Sequence, residues 1–235
     1  MKTEGGSDAA KRRAGERAAE DVEDGFVVGL GTGSTTAFAI EAIGRRVADG
    51  LAVQGIPTSF QSRQLALDVG IPLTTLDAVE SIDLAIDGAD AVVDAPGSDA
   101  HGTLVKGGGA AHTREKLVDA TADRFVVVAD PSKLTERLER SVPLEVLPAA
   151  HTVVADRVHD LGGEPTLRDA EHKDGPVVTD NGNLVLDCAF GGIEEPAALA
   201  DRLSALPGVV DHGLFVGLVD TTYVGTDDGV ESRQY

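Results

Sequence analysis

The sequence predicts an α/β protein built from two domains. Short, continuous apolar runs such as FVVGL (Phe26–Leu30) are typical of strands covered on both faces, and helical patterns alternate with them. From about Val142 the order changes to β-α-β-β-α-β, which is the order of a ferredoxin-like unit. Hydrophobic residues make up 42% of the chain and aromatic residues 3%, so the core is aliphatic. We therefore predict a Rossmann-like, mostly parallel sheet domain and a smaller ferredoxin-like α+β domain.

The first domain begins with alternating helices and strands. Residues 7–22 have helical composition, and Ser7 is a suitable N-cap. After the strand FVVGL come the turn GTGSTT and the helical segment AFAIEAIGRRV. LAVQGI then predicts a strand, TSFQSRQLALDVG a loop and helix, and PLTTL another short strand.

The turn after the first strand has the composition of a phosphate site. In a strand, glycine turn and helix, backbone amides at the helix start can bind a phosphate, and the side chains of Thr32, Ser34 and Thr35 beside Gly33 add hydroxyl donors. The dinucleotide fingerprint fails because its third glycine is Ser34 and no acidic residue closes a following strand at the expected distance. A P-loop is excluded because no Gly-Lys-Ser/Thr follows.

Two aspartates follow the next apolar run. The run LAI (residues 84–86) leads into Asp87, Gly88, Ala89 and Asp90, at the strand end where ligands of open α/β sheets bind. Carboxylates there could bind sugar hydroxyls or move protons between oxygens. A turn capped by aspartates is the alternative. A metal site is disfavoured because no histidine or further carboxylate is spaced to complete the coordination.

The segment LVKGGGAAHTREKLV (Leu104–Val118) combines a cation, a glycine turn and a carboxylate. Lys106 precedes three glycines (Gly107, Gly108 and Gly109), and a helix carrying Glu115 follows them. Amides at that helix start and Lys106 could hold an oxyanion while Glu115 removes a carbon-bound proton. The alternative is a mobile loop followed by a solvated helix on which Glu115 pairs with Arg114 or Lys116.

The strand Phe125–Val128 leads to Asp130 and then to Lys133 near a helix start. Lys133 is either a surface lysine or a further cation beside a strand end. Because the ends of parallel strands meet at one edge of a sheet, we expect four or five such polar strand ends on one rim.

The second domain is expected over residues 140–217. Its elements are the strand VPLEVLP, the helix AAHTVVADRVHDLG, the strand EPTLRDA, two strands around the hairpin signal at Asn181-Gly182, the helix EPAALADRLSALPG and the strand VVDHGLF. LVDTTYVGT is expected to return to the first sheet, and DDGVESRQY to form an exposed tail. The first domain then comprises residues 1–139 and 218–235.

Composition excludes several function classes. The net charge of −20, from 40 acidic against 20 basic residues, disfavours nucleic acid and anionic membranes as partners. It also indicates a surface adapted to high salt, with an ordinary acidic protein as the alternative. No apolar run approaches the roughly 20 residues that span a bilayer, so a soluble, cytoplasmic protein is expected. The single cysteine, Cys188, excludes an internal disulfide and a cysteine cluster for zinc.

Seven segments together resemble the A-type ribose-5-phosphate isomerase family. They are GLGTGSTTAFAI, DLAIDGADAVV, LVKGGGAAHTREKLV, FVVVADPSKL, PLEVLP, VTDNGNLVLD and PGVVDHGLF, and they stand in the family order. The resemblance covers about residues 10–229. It implies the interconversion of ribose 5-phosphate and ribulose 5-phosphate through an enediolate, without metal or cofactor, by a homodimer or homotetramer.

The resemblance also implies a role for each candidate residue. Glu115 would be the base that moves a proton between C2 and C1, and Lys106 with the amides of Gly107, Gly108 and Gly109 would stabilise the oxyanion. Asp87 and Asp90 would open the sugar ring and handle hydroxyl protons. The substrate and its phosphate would be bound by the remaining candidates, which are Thr32, Gly33, Ser34, Thr35, Gly88, Ala89 and Lys133.

The chain departs from the family pattern in two places. Many members carry another acidic residue after the second aspartate, where this chain has Ala91 and Val92, and His112 replaces a frequent leucine. Neither change affects a residue assigned to the chemistry, so both bear on fine specificity. The competing functions are another phosphosugar isomerase, deaminase or lactonase, and a phosphosugar sensor without catalysis. A sensor would need a DNA-binding module and a basic surface, and this sequence provides neither.

Overall fold

The computed structural model describes residues 6–235 and divides into two compact units. The parallel-sheet unit comprises residues 6–89, 114–134 and 218–235, and the antiparallel-sheet unit comprises residues 90–113 and 135–217. The α-helices are α1 (Asp8–Glu20), α2 (Ser34–Ala48), α3 (Phe60–Asp68), α4 (His112–Asp119), α5 (His151–Asp160) and α6 (Pro196–Ser204). The strands are β1 (Val27–Leu30), β2 (Gln54–Pro57), β3 (Leu84–Gly88), β4 (Ala91–Val93), β5 (Leu104–Val105), β6 (Phe125–Ala129), β7 (Leu134–Thr135), β8 (Val142–Val146), β9 (Glu164–Leu167), β10 (Leu184–Ala189), β11 (Val209–His212), β12 (Leu214–Phe215), β13 (Thr221–Gly225) and β14 (Val230–Gln234).

The parallel-sheet unit contains a six-stranded sheet in the order β14-β13-β6-β3-β1-β2. All its strand pairs are parallel except β13 with β14. The middle strands are buried on both faces, as their continuous apolar sequences predict, and the aliphatic core includes Val28, Ile86 and Val126. The expected return of LVDTTYVGT to this sheet is confirmed, because β13 pairs in parallel with β6.

Helix α1 covers part of this sheet and confirms the helix expected near the N-terminus. The Ser7 side chain accepts a hydrogen bond from the Ala10 amide at 3.1 Å, so Ser7 is the N-cap. Gly15 allows close contact with α2, since a Cβ on it would lie 2.7 Å from the Ala39 nitrogen. At the far end, Asp21 accepts hydrogen bonds from Arg17 and Tyr223.

The antiparallel-sheet unit contains a four-stranded sheet in the order β11-β8-β10-β9, with all pairs antiparallel. With α5 between β8 and β9 and α6 between β10 and β11, this is the expected β-α-β-β-α-β arrangement. A second sheet in the order β12-β5-β4-β7 belongs largely to the same unit. The core of the unit includes Leu144, Val154 and Leu186. The predicted fold class is therefore confirmed.

Two predicted strands are wrong in detail. PLTTL does not form a strand: Leu73 makes one bridge to Gly55, with backbone hydrogen bonds from Gly55 to Pro72 and from Thr74 to Gly55, and a 3-10 turn (Leu76–Ala78) follows. VVDHGLF is two strands in two sheets, β11 and β12. The chain changes sheets at Gly213, whose amide donates to the Pro143 carbonyl.

Two further predictions need correction. The first strand of the expected Asn181-Gly182 hairpin is reduced to a bridge between Val178 and Leu184, and β10 pairs instead with β9. The last residues are exposed, but Val230–Gln234 forms β14 after a turn in which the Thr226 amide donates to the Gly229 carbonyl. Polar composition concealed this edge strand, because its side chains contribute little to the core.

The predicted domain boundaries stay a prediction. The compact units change at residues 134/135 and 217/218, and residues 90–113 group with 135–217, whereas the sequence places residues 1–139 and 218–235 in one domain. Residues 1–5 of that predicted domain lie outside the described residues. No helix in the described part of the chain is long and apolar enough to cross a membrane.

Candidate active site

The first glycine turn (residues 31–35) joins β1 to α2 in the parallel-sheet unit. Gly33 stands before α2 with a φ of +140°, a backbone conformation that favours glycine. The Thr32 hydroxyl lies 2.8 Å from the Thr58 hydroxyl and 2.7 Å from that of Ser59. Ser34 is exposed at the start of α2, whereas Thr35 is buried. The turn thus presents hydroxyls and a helix N-terminus, the groups expected for binding an anion.

Asp87 holds this turn through its side chain. It is fully buried at the end of β3, and its Oδ1 accepts from the amides of Thr32 at 3.0 Å and Gly88 at 2.6 Å. A Cβ on Gly31 would overlap the Asp87 carboxylate. Gly88 and Ala89 are half-buried behind it. The bond to Gly88 is the turn-capping contact that the sequence offered as the alternative for Asp87. The bond to Thr32 shows that Asp87 also holds the first glycine turn.

Lys133 lies at the same edge of the parallel sheet. It follows β6 in a 3-10 turn in which Asp130 Oδ1 accepts from the Ser132 amide at 2.9 Å, and it is half-buried. Because β6, β3 and β1 are parallel neighbours, Lys133, Asp87 and the first glycine turn all follow carboxyl ends at one edge. For these three segments, the expected common rim is confirmed.

The second glycine turn (residues 107–110) belongs to the antiparallel-sheet unit. It is closed by a hydrogen bond of 3.0 Å from the Ala110 amide to the Gly107 carbonyl, with Gly107 at a φ of +105°. Lys106, before the turn, is 2% exposed, and its Nζ lies 5.4 Å from the centre of the Phe215 ring. The strand before Lys106 is not part of the parallel sheet, because β5 pairs antiparallel with β4 and β12.

Asp90 contacts the second glycine turn. Its Oδ2 accepts from the Gly108 amide at 2.7 Å, and its own amide donates to the Val105 carbonyl at 2.8 Å. A Cβ on Gly108 would lie 2.8 Å from Asp90 Oδ1, so glycine is needed for this approach. Asp90 therefore plays for the second turn a part similar to that of Asp87 for the first.

Glu115 lies on α4 and is 4% exposed. This burial contradicts the alternative in which Glu115 forms an ion pair on a solvated helix face. The neighbouring Arg114, by contrast, is exposed. His112, which replaces a frequent leucine of the family, is also fully buried. It lies against Gly107, where a Cβ would be 2.7 Å from the His112 Nδ1. A buried carboxylate on α4 matches the environment that a general base requires.

Comparison with known proteins identifies the relatives of this chain. The family model described as ribose 5-phosphate isomerase A (phosphoriboisomerase A) matches residues 54–229. The chain belongs to this family. Ribose-5-phosphate isomerase A of Haloarcula marismortui is 66% identical, over 98% of this chain and 97% of the relative.

Solved structures of the family have the same fold. Ribose 5-phosphate isomerase A from Methanocaldococcus jannaschii is 42% identical, with a TM-score of 0.91 over 96% of this chain and 98% of the other. A D-ribose-5-phosphate isomerase in complex with phospho-erythronic acid is 37% identical, with a TM-score of 0.92 over 98% and 100%. The predicted family and enzyme class are thus confirmed, and curated members from Haloarcula and Halobacterium are halophile relatives of this acidic chain.

Sequence reasoning missed several residues around the second glycine turn. The Arg168 guanidinium donates to the carbonyls of Gly107 at 2.9 Å and Gly108 at 3.3 Å, and it pairs with both carboxylate oxygens of Asp187. A charged residue inside the apolar run of β10 was the available signal for Asp187. Arg168 carries no such signal, because an arginine at a strand end is normally a surface residue.

Glu145 is a second charged residue within an apolar strand. It is fully buried, and its carboxylate accepts from Thr179 at 2.8 Å, from Asn183 at 2.8 Å and from Asn181 at 3.0 Å. Burial raises the pKa of Glu145, but the surrounding hydrogen bonds, including those of Asn183, Asn181 and Thr179, outweigh it and leave the pKa below its ordinary value. Thr179, Asn181 and Asn183, around the predicted hairpin, are thus the donors to this carboxylate.

Proposed function

We propose that the protein interconverts D-ribose 5-phosphate and D-ribulose 5-phosphate through an enediolate, with Glu115 as the base. The observation that carries the proposal is the buried Glu115 carboxylate on α4, in a chain segment that also contains Lys106 and the second glycine turn. Glu115 would remove the proton from C2 of the open-chain aldose and return it to C1.

The α-proton of a sugar is far less acidic than a carboxylic acid, so stabilisation of the enediolate supplies much of the rate. Lys106 and the amides of Gly107 and Gly109 would serve this role, since the third expected donor, the Gly108 amide, already donates to Asp90. The burial of Lys106 supports it, because a cation acts more strongly away from water. The phospho-erythronic acid bound by the family relative is also consistent, since its planar carboxylate resembles an enediolate.

The other candidates would bind the substrate and move hydroxyl protons. Asp87 and Asp90 would assist ring opening. One carboxylate oxygen of each also accepts a hydrogen bond from a backbone amide. The phosphate would be held at the first glycine turn (Thr32, Gly33, Ser34 and Thr35) and by Lys133, with Gly88 and Ala89 lining the sugar. Operation as a homodimer or homotetramer in the cytoplasm, without metal or cofactor, completes the proposal.

The direct test measures ribulose 5-phosphate formation from ribose 5-phosphate by the purified protein, with chelator, over KCl concentrations reaching the molar range. We expect metal-independent turnover that rises with salt, because screening relieves the repulsion of a −20 chain. A folded sample that binds ribose 5-phosphate but is inactive at every salt concentration would instead indicate a sensor.

The base assignment has its own test. Glu115→Gln keeps the shape of the side chain but removes its basicity, so turnover should fall by about 10³-fold while the protein still folds and binds substrate. Glu80→Gln, at an exposed position of the same unit, is the matched control and should match the wild type. Near-normal turnover by Glu115→Gln would remove Glu115 from the base role.

A further inference from the structure

Arg168 connects β9 to the second glycine turn within the antiparallel-sheet unit. Its side chain is 11% exposed, and its Nε donates to Asp187 Oδ2 at 2.8 Å while its Nη2 pairs with Asp187 Oδ1. Its Nη1 donates to the Gly107 carbonyl at 2.9 Å and to the Gly108 carbonyl at 3.3 Å. The guanidinium thus bridges a fixed carboxylate on β10 and two successive peptide carbonyls.

The contacts fix the direction of the amides in the turn. A trans peptide is planar, so its N–H points away from its C=O. The Gly107 carbonyl and the Gly108 amide form one peptide unit, which Arg168 holds from the carbonyl side and Asp90 from the amide side, at 2.7 Å. The Gly108 carbonyl belongs to the next unit, so Arg168 directs the Gly109 amide away from itself.

Glycine alone would not hold this orientation. Three consecutive glycines have the largest conformational freedom of any backbone segment, and peptide units flanked by them can rotate at small cost. A donor that must already point at a developing oxyanion loses its value if it has to reorient during the reaction. A positive charge on the carbonyl oxygens also polarises the peptide units and strengthens their N–H donors.

We propose that Arg168 is a positioning residue that orients the Gly109 amide of the second glycine turn for stabilisation of the enediolate. Asp187 in turn fixes the guanidinium of Arg168 in the plane that both carbonyls require. The inference rests on the proposed isomerase function, whose oxyanion-binding amides it explains. Because Arg168 acts through the backbone, its loss should lower the turnover number while leaving substrate affinity nearly unchanged.

The chemistry of the contact separates arginine from lysine. A lysine ammonium keeps the charge but cannot form the two-pronged pair with Asp187 and still reach both carbonyls. We expect Arg168→Lys and Arg168→Ala to lower kcat by about 100-fold, with KM for ribose 5-phosphate within about threefold of the wild type. Arg157→Lys and Arg157→Ala, at an exposed ion pair with Asp160 in the same unit, are the matched controls and should be unaffected.

Chemical rescue distinguishes a positioning role from a purely structural one. If Arg168 were only structural, adding a small guanidinium compound would not restore kcat to Arg168→Ala. A cavity of about 330 Å³ adjoins Arg168 and is lined also by Asp90, Gly108, Arg140 and Asp187. It gives a small cation access to the position that Arg168→Ala vacates. Millimolar methylguanidinium should restore part of kcat to Arg168→Ala, and methylammonium should not. If Arg168→Ala fails to fold, Asp187→Asn provides the test. It should also lower kcat with little change in KM, but by less than the Arg168 variants.

The outcomes distinguish this inference from the proposed function. A wild-type protein without turnover on ribose 5-phosphate would remove the proposed function and the inference with it. An active wild type whose Arg168→Lys variant is folded and retains kcat within about threefold would overturn the positioning role alone. A loss that lies entirely in KM, or that equals the loss of folded protein by circular dichroism, would overturn it as well.

Discussion

The first and second glycine turns share a sequence pattern but are held through different backbone atoms. In the first turn the fully buried Asp87 accepts the Thr32 amide at 3.0 Å, so a backbone donor is used within the protein. In the second turn Arg168 binds the carbonyls of Gly107 and Gly108, while the Gly108 amide donates to Asp90 and the Ala110 amide to the Gly107 carbonyl. One turn is fixed chiefly by an anion on its amides, and the other by a cation on its carbonyls.

A glycine-rich sequence therefore does not show which backbone amides and carbonyls of the turn remain available to a ligand. In the first turn, side-chain hydroxyls and the start of α2 supply donors, which suits a phosphate with many acceptor oxygens. In the second turn, the carbonyls are occupied and the peptide units are oriented, which suits one oxygen that gains charge during a reaction. From this comparison we expect ground-state binding at the first turn and transition-state stabilisation at the second.

The largest expected effect separates these two roles at the second turn. Lys106→Met removes a buried charge but keeps an unbranched chain beside Phe215, so the protein should fold while kcat falls by about 10³-fold. Steady-state kinetics with ribose 5-phosphate and a thermal unfolding curve provide the measurement. Lys173→Met, at an exposed position, is the control. A variant that changes KM alone would assign Lys106 to substrate binding and erase the contrast between the turns.

At the first turn the expected effect is on stability. Gly31→Ala would force a Cβ into the Asp87 carboxylate, so the free energy of unfolding should fall by about 2 kcal/mol. Chemical denaturation measures this loss. Gly229→Ala serves as control, because a Cβ there meets no atom within 4 Å. Equal unfolding midpoints for the two variants would show that Asp87 does not pack tightly against the first turn.

The smallest expected effect concerns the buried carboxylate of the antiparallel-sheet unit. Because the folded state lowers the pKa of Glu145 below the ordinary value of 4.5, its ionised form contributes stability above that value. This contribution is lost as the pH falls through the lower, folded-state pKa. The gap in Tm between the wild type and Glu145→Gln should therefore narrow by a few degrees from about pH 6 to about pH 3.

Glu164→Gln, with an exposed side chain, should show no such pH-dependent gap. A constant gap for Glu145→Gln across the same range would mean that the Asn181, Asn183 and Thr179 donors do not favour the ionised carboxylate. Asp87 accepts from backbone amides and Glu145 from side chains, and that result would mean that the side-chain donors of Glu145 do not stabilise its ionised form.

Local patterns in the sequence carried most of the architecture. Apolar runs such as FVVGL predicted buried parallel strands, because a strand covered on both faces needs apolar residues at every position. The order of elements after Val142 predicted the ferredoxin-like sheet, and Ser7 predicted the start of α1. The pattern failed where side chains contribute little to a core, as in β14, and where one apolar run serves two sheets, as at Gly213.

The sequence by itself determined the fold class, the family and the positions of the two glycine turns, because each depends on residues close together in the chain. Only the tertiary structure revealed the partners of those turns. Arg168, just after β9, contacts Gly107 and Gly108 and is itself held by Asp187 on β10. These residues are far apart in the chain, so no local spacing in the sequence predicts the contacts. Burial of Glu115 and Lys106 was likewise decided by packing, since the same short segment on a solvated helix would have no buried charge.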